Sequence, residues 1–242
     1  MIAFVLPANF AHAQLTVHRV DDLNPGANGS FPSNLVAFGN ALYFSAYTTN
    51  VGRELWKYEG MVITLVSNIN DTVGDVGFGN FVGNDSTPIG MTAFRGELHF
   101  SAFDPRRGGE LWKSDGTNTV RVSDINPDAN NTVKTNPASS WPIELTVVSD
   151  TLYFSADGGG QFSNYELWSY DGVTVAQAAN IRPDFGASHS SYPQGLTAFN
   201  GGLYFMADDG MNGYELWKHD GTRASLLANI NPGPLTSSSP SE

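Results

Sequence analysis

Apolar residues in this chain come in short alternating runs, and the runs recur in a fixed order. Residues 35–38, 91–94, 145–148 and 196–199 (LVAF, MTAF, LTVV, LTAF) form one set. After a two-residue turn (Gly39-Asn40, Arg95-Gly96, Ser149-Asp150, Asn200-Gly201) comes a second set, residues 41–46, 97–102, 151–156 and 202–207, on the pattern Leu-(Tyr/His)-Phe-x-Ala. Gly, Asn and Asp tolerate positive φ, so such pairs suit tight hairpins. A third set is centred on Glu-Leu-Trp. A fourth, at 62–69, 119–125, 173–181 and 224–230, opens after Glu59-Gly60, Asp115-Gly116, Asp171-Gly172 and Asp220-Gly221. Each unit therefore predicts four short strands. No window carries a 3.6-residue period, so almost no helix is expected.

The third set carries the clearest repeat. Glu54-Leu55-Trp56, Glu110-Leu111-Trp112, Glu166-Leu167-Trp168 and Glu215-Leu216-Trp217 recur at spacings of 56, 56 and 49 residues, a period typical of propeller-like arrays. The strands are apolar on both faces: Trp112 points one way and Leu111 the other. A sheet apolar on both sides must be covered on both sides, and small sheets stacked face to face around an axis meet that need. The expected fold is an all-β propeller of four-stranded antiparallel blades, with repeats at 35–70, 91–126, 145–182 and 196–231 inside a domain spanning 14–236. Residues 15–23 match the last strand of a unit and are expected to form an extra outer strand. Pro32, Pro88, Pro142 and Pro193 stand three residues before each first strand, and Pro240-Ser241-Glu242 repeats that approach. Residues 237–242 thus read as the start of a further repeat in an incomplete ring, or as a tail on a closed four-bladed one.

The units resemble the ELWxxDGT repeat family of secreted bacterial proteins, often labelled hyalin-like. The likeness spans residues 15–236. The motif is whole at Glu110 to Thr117 and at Glu215 to Thr222. Glu59 and Met61 replace Asp and Thr in the first unit, and Val173 replaces Thr in the third. The resemblance implies a repeat architecture outside the cytoplasm and no established reaction, so it transfers no catalytic residue.

Composition narrows the partners. Only 15% of the 242 residues are charged, with 26 Gly and 13 Pro, which suits an all-β protein. The net charge of −12 argues against nucleic acid, and no apolar run is long enough to span a membrane. The absence of cysteine removes disulfides and thiolate metal sites. Residues 1–10 are mostly apolar and Ala11-His12-Ala13 precedes Gln14. Residues 1–13 therefore read as the remnant of a signal peptide, for a secreted or cell-surface protein.

A meander puts the two-residue turns on one face of the disc and every long connection (70–90, 126–144 and 182–195) on the other, and binding concentrates on such loops. Phe78, Phe81, Trp141, Phe185 and Tyr192 lie there as candidates for stacking on sugar rings or for a protein interface; the competing reading is that they cap the blades. The glutamates and tryptophans of the repeat (Glu54, Trp56, Glu110, Trp112, Glu166, Trp168, Glu215, Trp217) read as structural, since a catalytic residue is more often unique to one unit. No cofactor is expected. Ca²⁺ at the Asp-led loops starting at Asp104, Asp157, Asp208 and Asp209 competes with a plain turn-forming role. Histidines lack zinc spacing, no serine sits in a nucleophile elbow, and the innermost strands hold no acid, with Glu144 alone coming close. The function expected is an exported, non-enzymatic propeller presenting loops to protein or glycan. The alternatives are a carbohydrate-active propeller enzyme whose site needs further blades, and a structural spacer.

Overall fold

The computed structural model describes residues 19–26, 28–75, 81–127, 138–159, 163–182 and 190–232. Four antiparallel meanders account for sixteen strands. Blade one is β1 (Ser33–Phe38), β2 (Ala41–Thr48), β3 (Gly52–Glu59) and β4 (Val62–Ser67). A two-stranded hairpin, β5 (Val73–Asp75) and β6 (Phe81–Gly83), precedes blade two, which is β7 (Ile89–Phe94), β8 (Glu97–Asp104), β9 (Gly108–Ser114) and β10 (Thr119–Arg121). Blade three is β11 (Ile143–Val148), β12 (Thr151–Asp157), β13 (Tyr165–Tyr170) and β14 (Val175–Ala179). Blade four is β15 (Gln194–Phe199), β16 (Gly202–Asp208), β17 (Tyr214–His219) and β18 (Ala224–Ala228). No helix occurs among the described residues.

The inner strands adjoin in chain order, β1 beside β7, β7 beside β11 and β11 beside β15. Between blades lie three equivalent cores. Leu55 and Ile69 of blade one meet Leu98 and Phe100 of blade two. Leu111 and Ile125 meet Leu152 and Phe154, and Leu167 and Ile181 meet Leu203 and Phe205. Each blade thus has a leading face, Leu-x-Phe of its second strand with the repeat tryptophan, and a trailing face, the leucine of Glu-Leu-Trp with a later isoleucine. This is the propeller arrangement expected from two apolar faces per sheet.

Two expectations need correction. Residues 19–23, the described part of the anticipated outer strand 15–23, form no strand and instead border the apolar side of blade one, Val20, Asp21 and Leu23 lining a groove with Leu42 and Phe44. The connection 70–90, read as one long loop, carries the β5–β6 hairpin. Gly83 of that hairpin sits so close to Val51 and Gly52 that a Cβ would lie 2.1 Å from backbone.

The Asp-Gly-Thr part of the motif has a local cause. Asp115 Oδ1 accepts the N–H groups of Thr117 and Asn118, Asp171 those of Val173 and Thr174, and Asp220 those of Thr222 and Arg223. The intervening Gly116, Gly172 and Gly221 have φ of 91°, 94° and 98°, open to glycine alone at no strain. Asn118 and the turn amides hold the Asp115 carboxyl down at about 2. In blade one Glu59 is a carbon too long for this turn, and Met61 takes φ 70° instead.

Candidate functional site

The repeat glutamates are latches between blades. Glu54 accepts Ile69 N–H (2.9 Å), Asn70 N–H (3.1 Å) and, from the approach to blade two, Ser86 Oγ–H (2.6 Å). Glu110 accepts Ile125 N–H, Ser140 N–H and Ser140 Oγ–H at 3.1, 3.1 and 2.7 Å. Glu166 does the same with Ile181 and Ser191 at 2.8, 3.2 and 2.7 Å. Burial pushes the carboxyls of Glu54 and Glu110 up to about 7, against the pull of these donors. Glu166 moves the same way for the same reason. Among the described residues, Glu215 accepts Ile230 N–H, at 2.9 Å. The tryptophans complete the leading faces. Trp56, Trp112 and Trp217 donate their indole N–H across the hairpin to Ala46, Ala102 and Ala207 carbonyls. Trp168 makes no such bond.

The described ends of the long connections meet the second-to-third-strand loops and the strand starts beyond them: Gly83 N–H donates to the Thr49 carbonyl, Ser140 N–H to that of Gly109 and Ser191 N–H to that of Tyr165. Trp141 lies flat on Phe103, ring centroids 6.2 Å apart and planes 15° apart. It occupies the space left by Gly109, where a Cβ would be 2.5 Å from the indole. Trp141 is therefore a half-buried cap on blade two. Tyr192, at the equivalent place, stacks on Tyr165 at 5.5 Å and 20° and stays 40% exposed. Of the five aromatic candidates, Tyr192 alone combines a ring stack with an exposed side chain of this kind among the described residues. Phe81 lies in β6, while Phe78 and Phe185 fall outside the described residues.

A group that strand patterns did not single out lies nearer the axis. Every inner strand starts with a bulge: the pairing skips between Ser33 and Val36, Ile89 and Thr92, Ile143 and Thr146, and Gln194 and Thr197. The bulged residues are Asn34, Gly90, Glu144 and Gly195, with φ of 54°, 66°, 61° and 63°. Bulges re-aim a side chain, and here they open a cleft of about 460 Å³ among the inner strands, bordered by Asn34, Thr92, Glu144 and Thr146. Thr92 and Thr146 donate to Leu145 and Leu196 carbonyls (3.2 and 3.0 Å), tying neighbouring inner strands together. Glu144 is exposed and one of its oxygens accepts Leu196 N–H at 3.3 Å; the other is left to the cleft. The signal in the sequence was present as Gly90 and Gly195: a register that twice requires glycine carries a glutamate in blade three.

The Asp-led loops are turns in this structure. Asp157 Oδ1 accepts Gly159 and Asn164 N–H, Asp209 accepts Met211 and Asn212 N–H, Asp104 accepts Arg106 N–H, and Asp208 accepts Gly210 N–H and pairs with Arg182 at 3.0 Å. Among the described residues no three His, Asp or Glu side chains converge on a metal-sized site, and no helix is long and apolar enough to cross a membrane.

No protein-family model matches the chain, and no curated protein sequence does. Solved structures do. One is a family 117 glycoside hydrolase of the marine bacterium Zobellia galactanivorans, with 15% identity, TM-score 0.38, and 86% of this chain and 74% of that one covered. Another is the GH74 xyloglucanase of Xanthomonas campestris, with 12% identity, TM-score 0.41, and 81% of this chain covered against 30% of that one. A third is a thermostable family-43 glycoside hydrolase, with 11% identity, TM-score 0.36, and coverage of 85% and 74%. The expectation that this chain is not an enzyme is withdrawn on this finding, since all three of these structures are glycoside hydrolases; at such identities the likeness is one of fold.

Proposed function

We propose that this chain is a carbohydrate-binding propeller of the carbohydrate-active kind, taking glycan in the axial cleft of its loop-bearing face. The observation that carries the reading is Glu144. It is an exposed carboxylate on a bulge, held at φ 61° where two of the three sibling positions are glycine. A non-glycine residue in that region costs of order 1 kcal/mol and persists where surrounding structure over-determines it, often at functional sites. Its free oxygen, the Asn34 amide and the backbone of three inner strands border one opening, a mix of acceptors and donors that suits sugar hydroxyls. Tyr192, on the same face, offers a ring for stacking. Glycoside hydrolysis uses two carboxyl groups about 5–10 Å apart. On this reading Glu144 is one of them, and the second comes from outside the described blades.

The test is titration of the full chain with a panel of neutral and acidic polysaccharides, following binding by calorimetry and chain cleavage by release of reducing ends. Binding to one class, weakened at least tenfold in Glu144→Gln, supports the proposal. Absence of binding across the panel, or binding indifferent to Glu144→Gln, overturns it. The same reading includes export, supported by the apolar residues 1–10 and the Ala11-His12-Ala13 site. A protein recovered from the medium of an expressing bacterium should then begin at Gln14.

A further inference from the structure

The hydrogens on the side chains around the axial cleft are already spoken for. A hydroxyl has one hydrogen to give and keeps lone pairs to receive with. Thr92 directs its hydrogen at the Leu145 and Gly90 carbonyls, 3.2 and 3.3 Å away. Thr146 directs its own at those of Leu196 and Glu144, both at 3.0 Å. The Asn34 amide nitrogen gives to Ser33 Oγ at 3.3 Å and to the Pro88 carbonyl at 3.5 Å. These side-chain donors are thus spent within the inner strands and the approach to blade two. What the same groups keep for a ligand is lone pairs: Thr92 Oγ1, Thr146 Oγ1, Asn34 Oδ1 and the second oxygen of Glu144.

Charge points the same way. Among the described residues that line the cleft Glu144 alone is charged, and no Lys, Arg or His stands there. With 24 acidic residues against 12 basic ones the whole chain carries −12, a field that draws cations and repels anions. The partner that complements one carboxylate among neutral oxygens has a single positive charge and several hydrogens to donate. An ammonium group has three donors and no acceptor. A divalent metal ion matches less well: Ca²⁺ gathers about six to eight oxygens, carboxylates prominent among them, and no three His, Asp or Glu side chains converge here among the described residues. A uronic acid would set its own carboxylate against Glu144.

We infer that the cleft selects amino sugars whose amine is free and protonated. The ammonium group ion-pairs with Glu144 and donates to the threonine or Asn34 oxygens, while Val36 and Met91 add apolar wall for the C–H surface of the ring. The inference rests on the glycan reading above and names the sugar class it favours; a neutral sugar keeps its hydroxyl contacts and lacks the ion pair.

Calorimetry of the full chain with tetramers of glucosamine, N-acetylglucosamine and galacturonic acid tests it, in mildly acidic buffer where the amines carry their protons. The glucosamine tetramer should bind about tenfold or more tighter than its N-acetylated counterpart, the worth of one charge-assisted hydrogen bond, and the galacturonic acid tetramer should bind weakest. Glu144→Gln should cut that preference to about twofold or less, because the charge is lost and the shape is kept. Asn34→Asp puts a second carboxylate on the cleft at φ 54°, a region Asp tolerates, and should widen the preference, a gain that misfolding cannot imitate. Equal affinity for the first two tetramers, or a preference that survives Glu144→Gln, overturns the inference. If both tetramers then still weaken in Glu144→Gln, the glycan site stands and the amine selectivity alone falls. Absence of binding to all three also overturns the selectivity, and the polysaccharide panel decides the glycan reading separately.

Discussion

At the scale of single residues, local geometry separates strain kept for a purpose from strain relieved by glycine. Glu144 and Gly195 occupy the same bulge position, and only the former presents a carboxylate to the axis. Glu144→Gly removes about 1 kcal/mol of backbone strain and loses the Leu196 N–H contact, a long bond at 3.3 Å. The expected outcome in urea unfolding is a stability within about 0.5 kcal/mol of wild type, the two effects offsetting, together with loss of glycan binding in calorimetry. Gly109 is the opposite case. A methyl there meets the Trp141 ring at 2.5 Å, so Gly109→Ala forces the indole off Phe103. It should destabilise by about 1–3 kcal/mol, the usual range for overpacking, with the Trp141 fluorescence red-shifted as the ring enters water.

The element scale is governed by the junction of one blade's third strand with the next blade's approach. The glutamate and serine lie 30 residues apart at Glu110 and Ser140, yet the pair is repeated because every blade needs the same corner closed. Ser140→Ala leaves Glu110 with two N–H donors and a buried oxygen short of one bond, and should cost about 1–3 kcal/mol. Ser30→Ala, at a serine no glutamate reaches among the described residues, should cost far less. A double-mutant cycle of Glu110→Gln with Ser140→Ala, read by denaturant midpoints, should give a coupling energy of about 0.5 kcal/mol or more. A coupling near zero would show that the interface rests on its leucines and phenylalanines alone.

For the whole molecule the buried latches predict how stability follows pH. Burial raises Glu54 and Glu110 from 4.5 to about 7 in the folded chain. The folded form therefore holds protons that the unfolded form releases. This contribution is fully present below about pH 4.5 and is lost as pH rises through about 7, each tenfold difference in proton affinity between the two forms being worth about 1.4 kcal/mol. Asp85 and Asp124 push in the same direction, and the net charge of −12 adds general repulsion at higher pH. The melting temperature should be higher at pH 5 than at pH 8, and Glu54→Gln should flatten that slope. A melting temperature that rises between pH 5 and pH 8 would mean that the hydrogen bonds from Ser86, Ile69 and Asn70 outweigh desolvation.

The strands, their order and the stacking of blades were legible along the chain because period-two patterning and paired turn residues are local, and a sheet apolar on both sides has few ways to hide. The turn role of Asp115, Asp171 and Asp220 was equally local. The serine partners of Glu54, Glu110 and Glu166 were not, since Ser86, Ser140 and Ser191 lie in connections with no strand pattern and meet their carboxylates only when blades stack. Trp141 looked like an exposed stacking residue until packing laid it over Gly109. Glu144 fell just outside the alternating run that defines its strand, and only the bulge, a feature of pairing register between β11 and β12, turned it toward the axis. Chain-local chemistry determined which elements form; contacts between residues distant in sequence decided which side chains those elements hide and which they present.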